Sequence, residues 1–159
     1  MDELALRPMT AAEFQPYRAR LVPEYAAEHV RAGHWTADQA ETLAARQVDD
    51  LLPEGPASPG MLMLMASTAD GEPVGLVWVA LDRPRPGEAW IYDIEVSAGQ
   101  RGKGYGRALL QAAEREAAKH GSTAVGLNVF GTNAVARRLY ESSGYQITAM
   151  NMRKELGAS

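Results

Sequence analysis

One stretch near the middle of the chain constrains the fold most: an apolar strand that passes through a glycine-rich, basic loop into a helix. Residues 90–96 read WIYDIEV, a run of aromatic and β-branched side chains typical of a strand. The loop reads RGKGYG over residues 101–106, and the apolar pattern that begins at Arg107 predicts a long helix. Backbone N–H groups and the positive end of the helix dipole meet at such a junction, which therefore suits an anion.

The charges at this junction favour an anionic ligand. Arg101, Lys103 and Arg107 lie at the N-terminal end of the predicted helix, where the helix dipole disfavours positive charge. The arrangement is unfavourable in an empty protein and becomes favourable when a polyanion binds. Two well-known phosphate loops do not fit, because G-x-x-x-x-G-K-[ST] is absent and the loop glycines follow G-x-G-x-G rather than G-x-G-x-x-G.

This loop resembles the acyl-CoA segment of the GNAT superfamily of N-acetyltransferases, [QR]-x-x-G-x-[GA], which residues 101–106 match position for position. A second resemblance lies downstream, where residues 127–145 match the family pattern L-x-V-x-x-x-N-x-x-A-x-x-L-Y-x-x-x-G-[FY]. The two motifs together cover the chain from about Trp90 to Tyr145 and are much more specific jointly than singly. Residues 1–60 contribute to the resemblance only through the order of their predicted strand and helices.

The N-terminal part of the chain predicts one strand and two helices. A short strand over Leu4–Arg7 is followed by a helix whose start carries a capping box, Thr10 with Glu13 three residues later. Pro16 is a candidate break in this helix, which otherwise runs to about residue 29. A second capped helix is predicted over residues 36–51.

The remainder of the chain predicts a sheet with helices. Three strands joined by tight turns indicate an antiparallel meander, and a strand–helix–strand crossover then implies one parallel pair, between the strand at Trp90 and the strand at Thr123. The GNAT fold has this element order. The expected fold class is therefore α/β with a mixed sheet, largely antiparallel with one parallel pair, and helices on both faces. The expected elements are strands 61–66, 74–81 and 90–96, helix 104–120, strand 123–129, helix 132–143 and an extended stretch over Tyr145–Glu155.

Composition narrows the class of protein. With 159 residues and 46% hydrophobic residues, the chain can form one domain with a substantial core, and we expect a single GNAT-like acetyltransferase domain over residues 1–159. The chain has no cysteine, which excludes disulfides and thiolate metal sites. Its three histidines show no metal-ligand spacing, so no metal is expected.

Charge and hydropathy bear on partners and location. The formal net charge is −4 and the basic patch is local, so we do not expect a nucleic-acid binder. The N-terminus, MDELALRPMT, lacks the features of a signal peptide, and no apolar run approaches the roughly 20 residues of a membrane span. The sequence thus predicts a cytoplasmic protein with no membrane partner. A homodimer, the commonest oligomer, is kept open.

The resemblance implies an activity. GNAT proteins transfer an acetyl group from acetyl-CoA directly to an amine, without an acyl-enzyme, and the acceptor here is expected to be a primary amine on a small molecule or a peptide. The excess of acidic residues, 20 against 16 basic ones, mildly favours a cationic acceptor. Two alternatives remain: a catalytically inactive acyl-CoA-binding regulatory or interaction module, and a nucleotide-binding protein of another class.

The resemblance also implies which residues bind acetyl-CoA. Backbone groups near Ile94–Val96 are expected to pair with the pantetheine amides and to polarise the thioester carbonyl. The amides of the loop are expected to hold the pyrophosphate, with nearby cations adding charge. The residues expected to bind the cofactor are Ile94, Val96, Arg101, Gly102, Lys103, Gly104, Tyr105, Gly106, Arg107 and Asn133.

Asn133 and Tyr140 form the second half of the expected site. They are seven residues apart, so on a helix they share a face and lie about 10 Å apart along the axis, where a pantetheine arm could extend. By resemblance Tyr140 is the acid that protonates the CoA thiolate, and a phenol with a reference pKa near 10 can donate at neutral pH. The structural alternatives are a helix cap for Asn133 and a core tyrosine for Tyr140.

The base that takes the proton of the amine is sought among carboxylates. One common family position corresponds to Asn128, which cannot act as a base. We rank Glu95 first, Asp93 second and Glu88 third, against the equal alternative that Glu95 and Asp93 are solvated charges on an exposed strand face. Alternation predicts that Asp93 and Glu95 lie on one face of the strand. The opposite face is expected to carry Trp90, Tyr92, Ile94 and Val96.

Overall fold

The structure, a computed structural model, describes residues 3–157. Within these residues the chain forms five strands and four α-helices in the predicted order. In chain order they are β1 (Ala5–Pro8), α1 (Ala11–Arg31), α2 (Ala37–Leu51), β2 (Met61–Ser67), β3 (Pro73–Leu81), β4 (Glu88–Val96), α3 (Tyr105–Lys119), β5 (Ala124–Leu127) and α4 (Ala134–Ser142).

The strands form one mixed sheet, as the sequence predicts. Their spatial order is β1-β2-β3-β4-β5, with antiparallel pairing from β1 to β4 and a parallel pair between β4 and β5. The central strand β3 is buried along nearly its whole length, because α1 and α2 cover one face of the sheet while α3 and α4 cover the other. The predicted α/β fold class, with helices on both faces, is confirmed.

A β-bulge interrupts the pairing of β3 with β4. Trp78 pairs with Asp93, whereas the next residue of β3, Val79, pairs with Ile91, so Tyr92 is an extra residue in β4. An extra residue reverses the side-chain alternation beyond it and bends the strand. The bulge therefore decides which side chains face α1 and which face α3.

The predicted faces of β4 are wrong for this reason. Trp90 and Tyr92 pack into the same core as α1, on the face that also carries Asp93 and Glu95. Ile94 and Val96 pack with α3 on the opposite face. Because of the bulge, the two carboxylates lie under α1 beside aromatic rings, not on a solvated strand face.

The predicted capping box at the start of α1 is confirmed. The Thr10 hydroxyl accepts a hydrogen bond from the Glu13 N–H at 3.1 Å, and the Glu13 carboxylate accepts from the Thr10 N–H at 3.0 Å. The expected break at Pro16 does not occur, because α1 continues through it and through Pro23 as one helix. The Arg7 guanidinium donates to Glu13 at 2.7 Å and links this cap to β1.

The hydrogen bonds of this cap predict how the stability of the protein depends on pH. Hydrogen bonds from the Arg7 guanidinium and then from Thr10 lower the pKa of Glu13 to about 2, from an ordinary value of 4.5. A carboxylate with a lowered pKa in the folded state stabilises above its unfolded pKa and loses this effect as the pH falls towards its folded pKa. Glu13→Gln should therefore lower the melting temperature at pH 7, and the difference from the original protein should shrink as the pH falls from about 4.5 towards 2. Thermal unfolding between pH 7 and pH 2.5 measures this, and a difference that stays constant would contradict it.

The C-terminal stretch, residues 145–157, has no regular secondary structure. The predicted extended stretch Tyr145–Glu155 forms neither strand nor helix in the structure, and residues 145–157 pair with no strand among the described residues. Four apolar side chains of residues 145–157 are exposed: Ile147, Met150, Met152 and Leu156. None of the described helices combines the length and apolar character that a membrane crossing requires.

Candidate active site

The site lies where β4 and β5 separate. Their parallel pairing begins with Glu88 opposite Ala124 and ends with Ile91 opposite Leu127. Beyond this point β4 continues to Val96 with β3 along one edge and, among residues 3–157, no strand along the other. The bulge falls at the point of separation. The open edge leaves backbone groups of β4 available to an extended ligand.

The glycine-rich loop follows β4 in the chain and leads into α3. Gly102 and Gly104 have φ values of +78° and +85°, the left-handed region that side chains other than glycine rarely adopt. Gly104 is also the N-cap of α3, and no side chain caps this helix end. No side chain therefore caps the N–H groups of the first turn of α3, and their role in binding an anion stays a prediction.

The cations of the junction differ in their contacts. The Arg101 Nε donates to the Val96 carbonyl at 3.2 Å, and Lys103 lies 3.3 Å from the Gln100 side-chain oxygen, with both cations exposed to solvent. The Arg107 guanidinium instead donates to the hydroxyls of the two serines at the end of α4, at 2.8 and 2.9 Å. Arg107 therefore ties α3 to α4, and its contact with a phosphate stays a prediction.

Asn133 and Tyr140 lie on α4 as expected. Asn133 is the N-cap of this helix, and its side-chain oxygen accepts from the Ala136 N–H at 3.1 Å, so the capping alternative applies and a second role stays a prediction. Tyr140 is half-buried against the core, with its ring centroid 5.9 Å from that of Tyr145. Burial, and then the negative charge of Asp93, raise the pKa of Tyr140. The phenol therefore keeps its proton at neutral pH and is near enough to Asp93 to sense its charge.

Two side chains of α1 reach the carboxylates of β4. The Tyr17 hydroxyl donates to Asp93 Oδ2 at 2.7 Å, and Arg20 Nη2 lies 2.6 Å from Glu95 Oε1. The third base candidate, Glu88, lies at the other end of β4, 3.7 Å from Arg85. The structure thus brings Asp93 and Glu95 to the open end of β4 and leaves Glu88 at the paired end.

The environment of Asp93 changes its acidity. Its pKa is raised to about 6, mainly by burial, against which the hydrogen bond from Tyr17 acts. The negative charges of Glu95 and Glu24 add to the rise. A carboxylate that titrates near pH 6 is ionised at neutral pH yet more basic than an ordinary aspartate, which is what a general base requires.

A groove of about 630 Å³ runs along the outer edge of β5, between residues 122–129 and the stretch 143–149. Tyr140 lies in its wall, whereas Asp93, Glu95 and the loop 101–106 do not. The carboxylates therefore do not line the groove. The carboxylates and the loop, not the groove, contain most of the residues that the sequence predicts for the site.

Comparison with known families classifies the chain. The model described as "Acetyltransferase (GNAT) family" matches residues 15–145, a range that includes the loop, the open edge of β4 and Tyr140. The chain belongs to the GNAT family. It is accordingly an acetyl-CoA-dependent acyltransferase, and the resemblance found in the two motifs is confirmed.

The curated relatives of this GNAT protein include two from Bacillus subtilis strain 168. The uncharacterised N-acetyltransferase YycN is 35% identical over 154 residues, which is 96% of this chain and 99% of YycN. A crystal structure of YycN superimposes with a TM-score of 0.91 and covers 98% of this chain. The uncharacterised N-acetyltransferase YdgE is 31% identical, over 95% of this chain and 97% of its own length.

A more distant relative carries a more specific name. The mycothiol acetyltransferase of Kytococcus sedentarius is 29% identical over 96% of this chain, which spans 48% of that protein's length. All three of these relatives are named acetyltransferases, so the comparison gives no support to a catalytically inactive module. Family membership likewise overturns the alternative of a nucleotide-binding protein of another class.

Sequence reasoning missed Tyr17 and Arg20 in this GNAT protein. Both belong to α1, and their partners on β4 are 76 and 75 residues away in the chain. The only available signal was their spacing, because residues three apart on a helix lie on one face. Without knowing which strand α1 covers, that spacing could not be linked to a carboxylate.

Proposed function

We propose that this protein transfers the acetyl group of acetyl-CoA directly to a primary amine. The observation that carries the proposal is the position of Asp93, a partly buried carboxylate with a pKa of about 6 at the open end of β4. Its charge acts on Tyr140, and the strand that carries it leads into the glycine-rich loop. We also propose that residues 1–159 form one acetyltransferase domain that acts in the cytoplasm.

The proposed cofactor site fits the residues present. The edge of β4 at Ile94–Val96 would pair with the pantetheine amides, and the amides of residues 102–106 would hold the pyrophosphate at the uncapped start of α3. The exposed side chains of Arg101 and Lys103 supply positive charge. When bound, acetyl-CoA supplies the activated thioester carbonyl on which the transfer depends.

The proposed chemistry is a direct transfer. The neutral amine nitrogen bonds to the acetyl carbon, the bond from that carbon to sulfur breaks, and the thiolate leaves. Asp93 accepts the proton released by the amine, directly or through water, and Tyr140 donates a proton to the thiolate. Backbone N–H groups near Ile94–Val96 polarise the thioester carbonyl as negative charge develops on its oxygen.

Among the three base candidates we propose Asp93 rather than Glu95, which the sequence ranked first. Glu95 is paired with the Arg20 guanidinium at 2.6 Å and would have to leave this pair in order to accept a proton. The partner of Asp93 is a neutral hydroxyl, which orients the carboxylate without neutralising its charge. Burial makes Asp93 more basic in addition.

We propose a cationic amine, on a small molecule or a peptide, as the acceptor. Glu24 and Asp93 lie close enough for their charges to interact, and they create negative potential between the middle of α1 and β4, where Arg20 offsets the charge of Glu95. A protonated amine is attracted to such a region before it loses its proton. The overall excess of acidic residues acts in the same direction.

Thermal unfolding with candidate cofactors tests the proposal first. Acetyl-CoA and CoA at about 100 times their dissociation constant should each add about 2.7 kcal/mol to the free energy of unfolding, which raises the melting temperature by several degrees. NAD and ATP at equal concentration should produce much smaller shifts. CoA release in the presence of a panel of primary amines then measures turnover.

A variant pair sharpens this test. Replacing both Arg101 and Lys103 by glutamine should remove most of the shift caused by CoA, because both cations belong to the loop. Lys119→Gln, at the opposite end of α3, is the matched control and should retain the shift. Equal shifts in all proteins, or none in the original protein, would contradict the proposed cofactor site.

A further inference from the structure

Two neighbouring side-chain contacts connect α1 to β4. Tyr17 and Arg20 are three residues apart on α1, and Asp93 and Glu95 are two residues apart on β4, so each pair shares a face of its element. Tyr17 bonds to Asp93 at 2.7 Å and Arg20 to Glu95 at 2.6 Å. The two carboxylates therefore have different partners, one neutral and one cationic.

We propose that Tyr17 and Arg20 are positioning residues that give the two carboxylates different roles: Tyr17 orients Asp93 for proton transfer, and Arg20 keeps Glu95 out of it. This inference rests on the proposed acetyl transfer. It extends that proposal to two residues of α1, where neither family motif lies.

Packing fixes the hydroxyl that bonds to Asp93. Tyr17 is only 2% exposed and belongs to the core formed between α1, α2 and the sheet. The Arg20 guanidinium carbon lies 5.5 Å from the centroid of the Tyr17 ring, so these two side chains also contact each other. The ring has little freedom to turn, and its hydroxyl therefore holds Asp93 in one orientation.

The chemistry of the two partners explains the division of roles. A tyrosine hydroxyl donates one hydrogen bond and stays neutral, so the carboxylate that accepts it keeps its charge and can still take a proton. Burial, with the charges of Asp93 and Glu95, raises the pKa of Tyr17 well above its ordinary value, so it does not ionise at neutral pH. A guanidinium is always charged and holds its partner in an ion pair.

The charged and titratable groups around Asp93 come from three elements. Tyr17 and Glu24 face it from α1, Glu95 from β4 and Tyr140 from α4. Arg20 acts on it through Glu95, whose charge it offsets. Each of these groups shifts the pKa of Asp93 in a definite direction. The acid limb of the pH profile of kcat/KM reports the ionisation of the free enzyme's base and therefore measures that shift.

The test is the pH profile of kcat/KM for a primary amine with three variants. Tyr17→Phe removes a hydrogen bond to the carboxylate form of Asp93, so the acid limb should move up by about one pH unit. Arg20→Gln leaves the charge of Glu95 uncompensated, so the limb should also move up. Glu95→Gln removes a negative charge beside Asp93, so the limb should move down while the plateau stays within about threefold.

Matched controls exist on the same helix. Tyr25→Phe removes a hydroxyl that bonds to Gln47 of α2, and Arg18→Gln removes an ion pair with Asp49 of α2. Both should leave the acid limb unmoved. These controls separate a general effect on α1 from the effect on Asp93.

Four outcomes would overturn the inference: an unmoved limb in Tyr17→Phe, an unmoved limb in Arg20→Gln, an upward shift in Glu95→Gln, or loss of the plateau rate in Glu95→Gln. Arg20 is exposed, so Arg20→Gln keeps the inference testable even if Tyr17→Phe does not fold. Failure of the proposed function looks different, because the original protein would then show neither a CoA-dependent melting shift nor turnover.

Discussion

Replacing Asp93 with asparagine is expected to lower kcat by about 10²–10⁴-fold at pH 7.5, the range that a positioned general base contributes. Asparagine keeps the size and shape of the side chain but cannot accept the proton of the amine. The melting shift caused by acetyl-CoA should stay the same, because the proposed cofactor contacts belong to the backbone of β4 and to the loop. Steady-state CoA release and thermal unfolding measure the two quantities.

Glu95→Gln is the decisive control for this result. It removes a carboxylate two residues away on the same face, and it should retain most of the rate. If Glu95→Gln loses activity while Asp93→Asn keeps it, the sequence-based ranking of Glu95 as the base is restored. For the original protein, kcat/KM should rise as the pH increases through about 6 and then level off, because the base must be ionised.

The local parts of this fold could be predicted from sequence because their signals are local. The turn-separated strands, the capping box of Thr10 and Glu13, and the passage from β4 through the glycines into α3 depend on neighbouring residues only. The start of α3 shows this, because the sequence predicts a helix from residue 104. Gly104 is the N-cap of this helix, which begins at Tyr105.

The bulge in β4 could not be predicted in this way. The sequence WIYDIEV alternates well as it stands, and nothing in it marks Tyr92 as the extra residue. The bulge is defined by the register against β3, which is a contact between separate segments. One extra residue reversed the faces of Ile94 and Val96 and brought Asp93 and Glu95 under α1.

The partners that side chains contact could not be predicted from the sequence either. The place of Arg107 beside a helix N-terminus predicts an anionic partner, whereas its hydrogen bonds go to serines 35 and 36 residues further along the chain. Residue type and helix position indicate what a cation can bind. They do not indicate which of two available partners it contacts, since that depends on how α4 packs against α3.

Replacing Tyr140 with phenylalanine is expected to lower kcat by about 100-fold and to leave the KM for acetyl-CoA within about twofold. The phenol is half-buried and its pKa is raised by burial and by Asp93, so it carries its proton at neutral pH and can give it to the departing thiolate. Phenylalanine preserves the ring packing and removes only the donor. Initial rates against acetyl-CoA concentration separate the two kinetic parameters.

Tyr145→Phe is the matched control, because its ring lies 5.9 Å from that of Tyr140 and its hydroxyl donates to Glu114 instead. It should keep nearly full activity. An unchanged kcat in Tyr140→Phe would exclude the acid role and leave protonation of the thiolate to solvent. A raised KM with an unchanged kcat would instead make Tyr140 a binding residue. The two substitutions at Asp93 and Tyr140 thus test separately the proton that leaves the amine and the proton that reaches the sulfur.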